Sequence, residues 1–182
     1  MRNYQIQGII IKRKNVGEAD RIITVFSKNH GKIRIKAPGV RKITSRRSSH
    51  IELFNISVLN LYQSLRGSIP LLTEANVIED FRIIKKDLKK IGFAFYICEL
   101  LDNLCPERQE NRKIFYLTQE IFEKLEGSLE EEEKIVDEFE ENILSFLGFI
   151  PESFALSNRQ NFIENIIEKK MRTKDILPLL IS

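Results

Sequence analysis

The sequence predicts an α+β fold: a small five-stranded β-barrel over residues 1–80, followed by an all-α domain over residues 81–182. Three observations predict it. Up to about residue 79, β-branched and aromatic runs alternate with short polar turns. From Phe81 onward the apolar residues recur with the helical period. The charge changes sign at the same place. Residues 1–80 hold 14 Lys and Arg against 6 Asp and Glu, a net +8, whereas residues 81–182 hold 15 against 20, a net −5. A basic half beside an acidic half is a polyanion signal for the basic half.

The first strand carries Ile9, Ile10 and Ile11, and the second Ile22, Ile23, Val25 and Phe26. Lys14-Asn15-Val16-Gly17-Glu18 is the turn between them. Asn29-His30-Gly31 turns into a third strand, Lys32 to Ala37, that alternates cleanly. Ile33, Ile35 and Ala37 share one face; Lys32, Arg34 and Lys36 share the other. A glycine-, serine- and base-rich loop follows over residues 38–50. A long strand is expected from Ile51 to Tyr62, a turn at Ser64-Leu65-Arg66-Gly67, and a last strand from Ile69 to Val77. Pro70 sits at the start of that strand, where a missing N–H is tolerated. Five short strands in under 80 residues fit a closed or partly open barrel.

The helices follow in turn. The first spans about 81–104, with Ile84, Leu88, Ile91, Phe95 and Cys98 on its buried face and Pro106 beyond its end. Phe95→Ala is accordingly expected to cost roughly 3–5 kcal/mol, as for an emptied core aromatic. The second runs from Asn111 to Glu126 over Ile114, Leu117, Ile121 and Leu125, with Gly127 as its stop. The third opens with a capping box, Ser128-Leu129-Glu130-Glu131, buries Ile135, Phe139, Ile143 and Phe146, and stops at Gly148. The fourth opens with Ser157-Asn158-Arg159-Gln160 and carries Phe162, Ile163, Ile166 and Ile167. A short last helix broken by Pro178 is expected over residues 173–182.

The residue inventory points away from catalysis. The two histidines, His30 and His50, fall in turns or loops. No His-x-x-x-His, nucleophile elbow, Walker loop or dinucleotide fingerprint occurs. The carboxylates of residues 130–141 read as a solvated helix face. Cys98 and Cys105 form no CxxC pair and read as buried free thiols, so neither a metal nor a cofactor is expected. The start, Met1-Arg2-Asn3-Tyr4-Gln5, has no apolar region behind it, and no apolar run approaches the roughly 20 residues of a membrane helix. The expectation is a soluble, cytoplasmic protein that is not an enzyme.

The basic residues are the candidate site. Lys32, Arg34 and Lys36 are spaced roughly 6.5–7 Å apart in an extended strand, close to the phosphate repeat of a single strand of nucleic acid. Arg41, Lys42, Arg46 and Arg47 add a flexible basic loop, and Lys12, Arg13 and Lys14 a third cluster. On the first helix Arg82, Lys86 and Lys89 lie opposite the apolar stripe, with Lys85 and Lys90 flanking. Phe93 in their midst reads as a packing aromatic in preference to a base-stacking platform. Few aromatics lie on the barrel, which favours contacts to the backbone over base stacking.

The sequence resembles the RecO family of bacterial recombination mediators. The resemblance is carried by Gly8-Ile9-Ile10-Ile11-Lys12, Gly17-Glu18-Ala19-Asp20-Arg21-Ile22-Ile23-Thr24, His30-Gly31-Lys32 and Ala37-Pro38-Gly39-Val40-Arg41-Lys42. Leu72-Thr73-Glu74-Ala75 leading into Phe81-Arg82, Ala94 to Asp102, Leu144 to Phe149 and Phe162 to Leu177 extend it through the helical part. The resemblance implies an N-terminal OB-fold and a helical C-terminal domain. It implies binding of single- and double-stranded DNA, annealing of complementary strands, partnership with RecR, contact with the single-stranded-DNA-binding protein, and help in loading RecA at the nucleoid. Many members carry two CxxC pairs that form a zinc module. Here Phe149-Ile150-Pro151-Glu152-Ser153-Phe154 passes to Ser157 without a cysteine, so that module is expected to be absent. Two other readings stay open: an RNA-binding OB module, and an adaptor whose barrel binds protein and is insensitive to salt.

Overall fold

The computed structural model describes residues 2–64, 69–129, 131–151 and 158–173. The chain divides into two compact units. One comprises the residues up to Asp80 together with Cys105–Phe115; the other comprises Phe81–Leu104 and the chain from Tyr116 onward.

The first unit contains five strands: β1 (Arg2–Val16), β2 (Asp20–Ser27), β3 (Gly31–Ala37), β4 (Ile56–Gln63) and β5 (Leu71–Glu79). They hydrogen-bond in the order β1-β2-β3-β5-β4, and β4 pairs back onto β1, so the sheet closes on itself in OB-fold topology. Closure is thin between β3 and β5, whose parallel pairing rests on Lys36↔Leu71. The long β1 serves two neighbours, pairing with β4 through residues 2–9 and with β2 through residues 8–16. Its register with β2 shifts between Ile10 and Lys12. That bulge explains three consecutive isoleucines, because an extra residue breaks the period of two. Ile10, Ile23, Val25, Ile33, Ile35, Ala37, Leu59, Leu61 and Leu72 fill the barrel, together with Val40 and Ile51 from the loop.

The expected strand from Ile51 to Tyr62 begins later, at Ile56. Ser49–Ile51 is a 3₁₀ turn, and Phe54 has φ of 71°, which a strand does not accommodate. Local bonds hold this corner. Phe54 N–H donates to Ile10 O at 2.9 Å, Ile10 N–H to Asn55 O at 3.0 Å, and Ser57 Oγ to His50 O at 2.6 Å. The turn expected at residues 64–67 lies mostly outside the described residues.

The second unit carries α1 (Leu88–Leu104), α3 (Glu132–Phe146), α4 (Arg159–Ile167) and most of α2 (Arg112–Gly127). The first helix does not begin at residue 81. A 3₁₀ turn occupies Ile84–Lys86, and Asp87 caps α1 by accepting from Lys89 N–H at 2.9 Å and Lys90 N–H at 3.0 Å. The Glu126 carboxylate meanwhile accepts from Ile83 N–H and Ile84 N–H, both at 2.9 Å.

The predicted stripe on α1 is also corrected. Ile84 and Cys98 are buried as expected and Ile91 is half-buried, but Leu88 and Phe95 are exposed, whereas Phe93, Tyr96, Ile97, Leu100, Leu101 and Leu104 are buried. Apolar residues lie on most sides of this helix, so a 3.6-residue stripe does not single out the buried side. Phe95 is 39% exposed, which withdraws the large cavity cost expected of its truncation.

The capping box expected at Ser128 does not form. Ser128 Oγ bonds Leu125 O at 3.1 Å and Glu132 at 3.3 Å, and α3 starts at Glu132. The helix buries Val136, Phe139, Ile143 and Leu144, while Ile135 and Phe146 are half-buried. Gly148, with φ of 79°, ends it as expected. Asn158 caps α4 through Asn161 N–H at 3.0 Å. Ser157 and residues 174–182 lie outside the described residues. The acids of α3 are not all solvated: Glu132 and Glu140 are buried. Glu140 bonds the Tyr96 hydroxyl and pairs with Arg159 at 3.1 Å. Burial, then the Glu140 carboxylate, push the Tyr96 hydroxyl far above its ordinary range. Among the described residues no helix is long and apolar enough to cross a membrane.

Candidate nucleic-acid interface

Strand register brings two of the sequence clusters onto one face. Lys12 on β1 lies opposite Thr24 on β2, which lies opposite Arg34 on β3. Lys14 lies opposite Ile22, which lies opposite Lys36. Two rows, each with a cation at either end, therefore cross the outer surface of β1-β2-β3. With strands about 4.8 Å apart, the ends of each row stand about 10 Å apart at the backbone. Lys12, Lys14 and Arg34 are exposed, and Lys36 is half-buried.

Past the ends of these strands, the β1–β2 turn and the loop after β3 line an open cleft of about 960 Å³. Asp20 ties these two segments together. Its carboxylate accepts from Gly39 N–H at 2.8 Å and pairs with Lys36 Nζ at 3.1 Å. The Gly39 N–H, followed by Lys36, holds the Asp20 carboxyl below the usual carboxylate range. Arg41 N–H donates to Ala19 O at 2.9 Å, and the Arg41 guanidinium to Gly17 O at 3.1 Å. Arg47 staples the loop to the barrel, donating to Pro38 O at 2.7 Å and Leu72 O at 2.8 Å. Lys42 and Arg46 remain exposed on the cleft wall, and neither head group has an ion-pair partner among the described residues. The buried Ser45 Oγ beside them has no hydrogen-bond partner there either. The arrangement offers exposed cations to an anion. It places no nucleophile beside a base, and among the described residues no His, Cys, Asp and Glu group could hold a metal.

Not every sequence candidate joins this face. Arg13 points to the other side of β1 and pairs with Glu52, which Arg21 also approaches at 3.8 Å. Lys32 is 8% exposed, so it does not share the open row with Arg34 and Lys36. The polar segment after α1 lies along it: Lys32 bridges Glu107 in parallel, and Arg108 N–H donates to Lys32 O at 2.9 Å. Gly31 makes this approach possible, since a Cβ there would stand 1.9 Å from Gln109 O. Arg34 is not without an acid: Glu107 pairs with its Nε at 3.2 Å.

The basic side expected on the first helix does not form as one face. Arg82 and Lys86 precede α1 and are exposed. Lys89 pairs with the buried Glu132 at 3.3 Å. Lys90 is buried, its ammonium donating to Ser128 O at 2.6 Å beyond the end of α2. Phe93 is buried, as a packing aromatic should be. Sequence reading missed that Ile22 and the buried Thr24 stand between these cations, though period two alone puts them there.

A closed five-stranded barrel of this strand order, with a cationic outer face and a helical unit behind it in sequence, defines an OB-fold protein of the mixed α+β class. Two family descriptions, "Recombination protein O N terminal" and "Recombination protein O C terminal", match residues 1–81 and 85–158. The chain belongs to the recombination protein O family. It is 30% identical over 151 residues to a DNA repair protein RecO of Pelotomaculum thermopropionicum, covering 83% of this chain and 57% of that protein. The RecO of a Roseiflexus species is 38% identical over 114 residues, or 63% and 39% of the two chains. That of Dehalococcoides mccartyi is 33% identical over 157 residues, or 86% and 60%. The chain thus spans little more than half the length of most of these relatives.

Proposed function

We propose that the chain is a non-catalytic, DNA-binding mediator of recombinational DNA repair. It binds single strands through the β1-β2-β3 face and the adjoining cleft, promotes annealing of complementary strands, and assists RecA loading in concert with RecR and the single-stranded-DNA-binding protein at the nucleoid. The observation that carries this reading is the register that sets Lys12, Lys14, Arg34 and Lys36 at the ends of two rows on one face, with Lys42 and Arg46 exposed on the cleft formed by the adjoining turn and loop. The names of the relatives, DNA repair protein RecO, support its place in repair. The mechanism is electrostatic. Cations that neutralise phosphates on two strands remove the repulsion that keeps complementary strands apart, and no bond is made or broken in the protein.

The test is the salt dependence of binding to a labelled oligo-dT. Each phosphate contact contributes about 0.7 log units of affinity per log unit of salt. Replacing Lys12, Lys36, Lys42 and Arg46 with alanine should flatten the slope by about three units, weaken all sequences alike and slow annealing of complementary oligonucleotides. An unchanged slope in a folded quadruple variant overturns the assignment. Tighter binding of an RNA of the same sequence moves the substrate to RNA.

A further inference from the structure

On the assumption that this face binds a phosphate backbone, we propose that Arg34 is a phosphate subsite held closed by the chain's own Glu107, whose carboxylate stands where a phosphate oxygen must bind. The Glu107 carboxylate lies 3.2 Å from Arg34 Nε and 3.5 Å from its Nη2, an approach by both oxygens to one edge of the guanidinium of the kind a phosphate makes. The two side chains are 58% and 52% exposed, so the pair lies at the surface and an incoming anion can reach it.

Glu107 is placed there by backbone rather than by chance rotamers. The segment carrying it lies beside β3 through the Lys32↔Glu107 bridge and the Arg108 N–H to Lys32 O bond. The glycine at position 31 leaves room for the backbone of Gln109. A carboxylate fixed in this way is a competitor at high local concentration. It is also a weak one, because exposed ion pairs exchange readily with other anions. A single isolated phosphate gains little by displacing it. A polyanion already held at Lys12, Lys36 and the cleft displaces it with its next phosphate. The subsite therefore discriminates against short anions in favour of a continuous strand.

Three variants test this on the full chain, with oligo-dT and inorganic phosphate as probes. Glu107→Gln should tighten oligo-dT binding about 2- to 5-fold at low salt, the range expected when an exposed ion-pair competitor is removed. Inorganic phosphate titrated alone should likewise bind Glu107→Gln more tightly than the wild type. Glu110→Gln removes the same charge from the same segment, where Glu110 pairs with Arg112 at 2.6 Å, and should do neither. In an Arg34→Ala background, Glu107→Gln should no longer tighten binding. Equal gains from Glu107→Gln and Glu110→Gln overturn the proposal in favour of a bulk charge effect, as does a gain that survives Arg34→Ala. The outcomes separate the two readings. Wild-type binding without the specific Glu107 gain removes the gate and leaves the interface. Absence of binding in the wild type and in Glu107→Gln alike removes both.

Discussion

Gly31→Ala should destabilise the barrel unit by roughly 2–4 kcal/mol, and the figure can be built from its parts. Gly31 has φ of 62°, a region that costs an alanine about 1–2 kcal/mol. The new Cβ would stand 1.9 Å from Gln109 O and 2.5 Å from Gln109 C. Both are backbone atoms, so no rotamer change relieves the contact and the 105–110 segment must lift. Lifting it breaks the Arg108 N–H to Lys32 O bond, worth about 1 kcal/mol, and the exposed Arg34–Glu107 pair, worth a few tenths. Urea unfolding followed by far-UV circular dichroism measures the sum as a lower midpoint at unchanged slope. Gly31→Asn separates the parts, because asparagine tolerates a positive φ yet keeps the Cβ. It should retain about half of the loss. A loss below about 1 kcal/mol for both variants would refute the view that this close approach matters to stability.

Three further expectations follow from the helical unit and the thiols. Phe93→Ala should cost roughly 3–5 kcal/mol, since Phe93 is 4% exposed, and Phe95→Ala less than half as much; thermal denaturation of the pair checks the order, and the reverse order refutes the packing described. Arg159→Ala should cost roughly 3 kcal/mol, because it takes the cation from the buried Glu140, and Arg159→Lys should restore part of this in the same assay. Burial pushes both thiols up, Cys105 to about 12. Neither should react with a thiol reagent at pH 8 unless denaturant is added, and rapid labelling of the native protein would contradict their burial. These thiols add no pH dependence below about pH 8.5; above it the unfolded chain loses its protons first, so stability should fall as the pH rises toward the folded values.

The barrel was legible where its signals are local. Alternation through Lys32 to Ala37 is a property of one strand, and Asn29-His30-Gly31 announces its own turn. The beginning of β4 was not, because Phe54 is held in a left-handed conformation by bonds to Ile10, distant in sequence. Asp87 is a cap by residue type, but Ile84 and Leu88 continue an apolar period through it and hide the start of α1. The inward acids Glu132 and Glu140 look like their solvated neighbours, and only their partners, Lys89 and Ser128 for one and Arg159 and Tyr96 for the other, distinguish them. Of the site, sequence gave the cations but not their company. Arg47 spends its donors on carbonyls and Lys90 is buried at a helix end, and neither fact has a sequence pattern. The segment Pro106-Glu107-Arg108-Gln109 reads as a plain linker, because its hold on β3 is largely main chain to main chain and so indifferent to side-chain identity.

That same segment sets an order on the birth of the protein. All five strands have left the ribosome's active centre by Glu79, yet the piece that covers the Gly31–Lys32 edge ends some thirty residues later, at Gln109. At translation rates of about 5–20 residues per second, the nascent barrel waits roughly 1.5–6 s with a strand edge open. An open edge is a template for a foreign strand, so this interval is when the chain is most exposed to mispairing with another copy of itself on the same polysome. A fragment ending at Asp80 never leaves that state, however long it is given to fold.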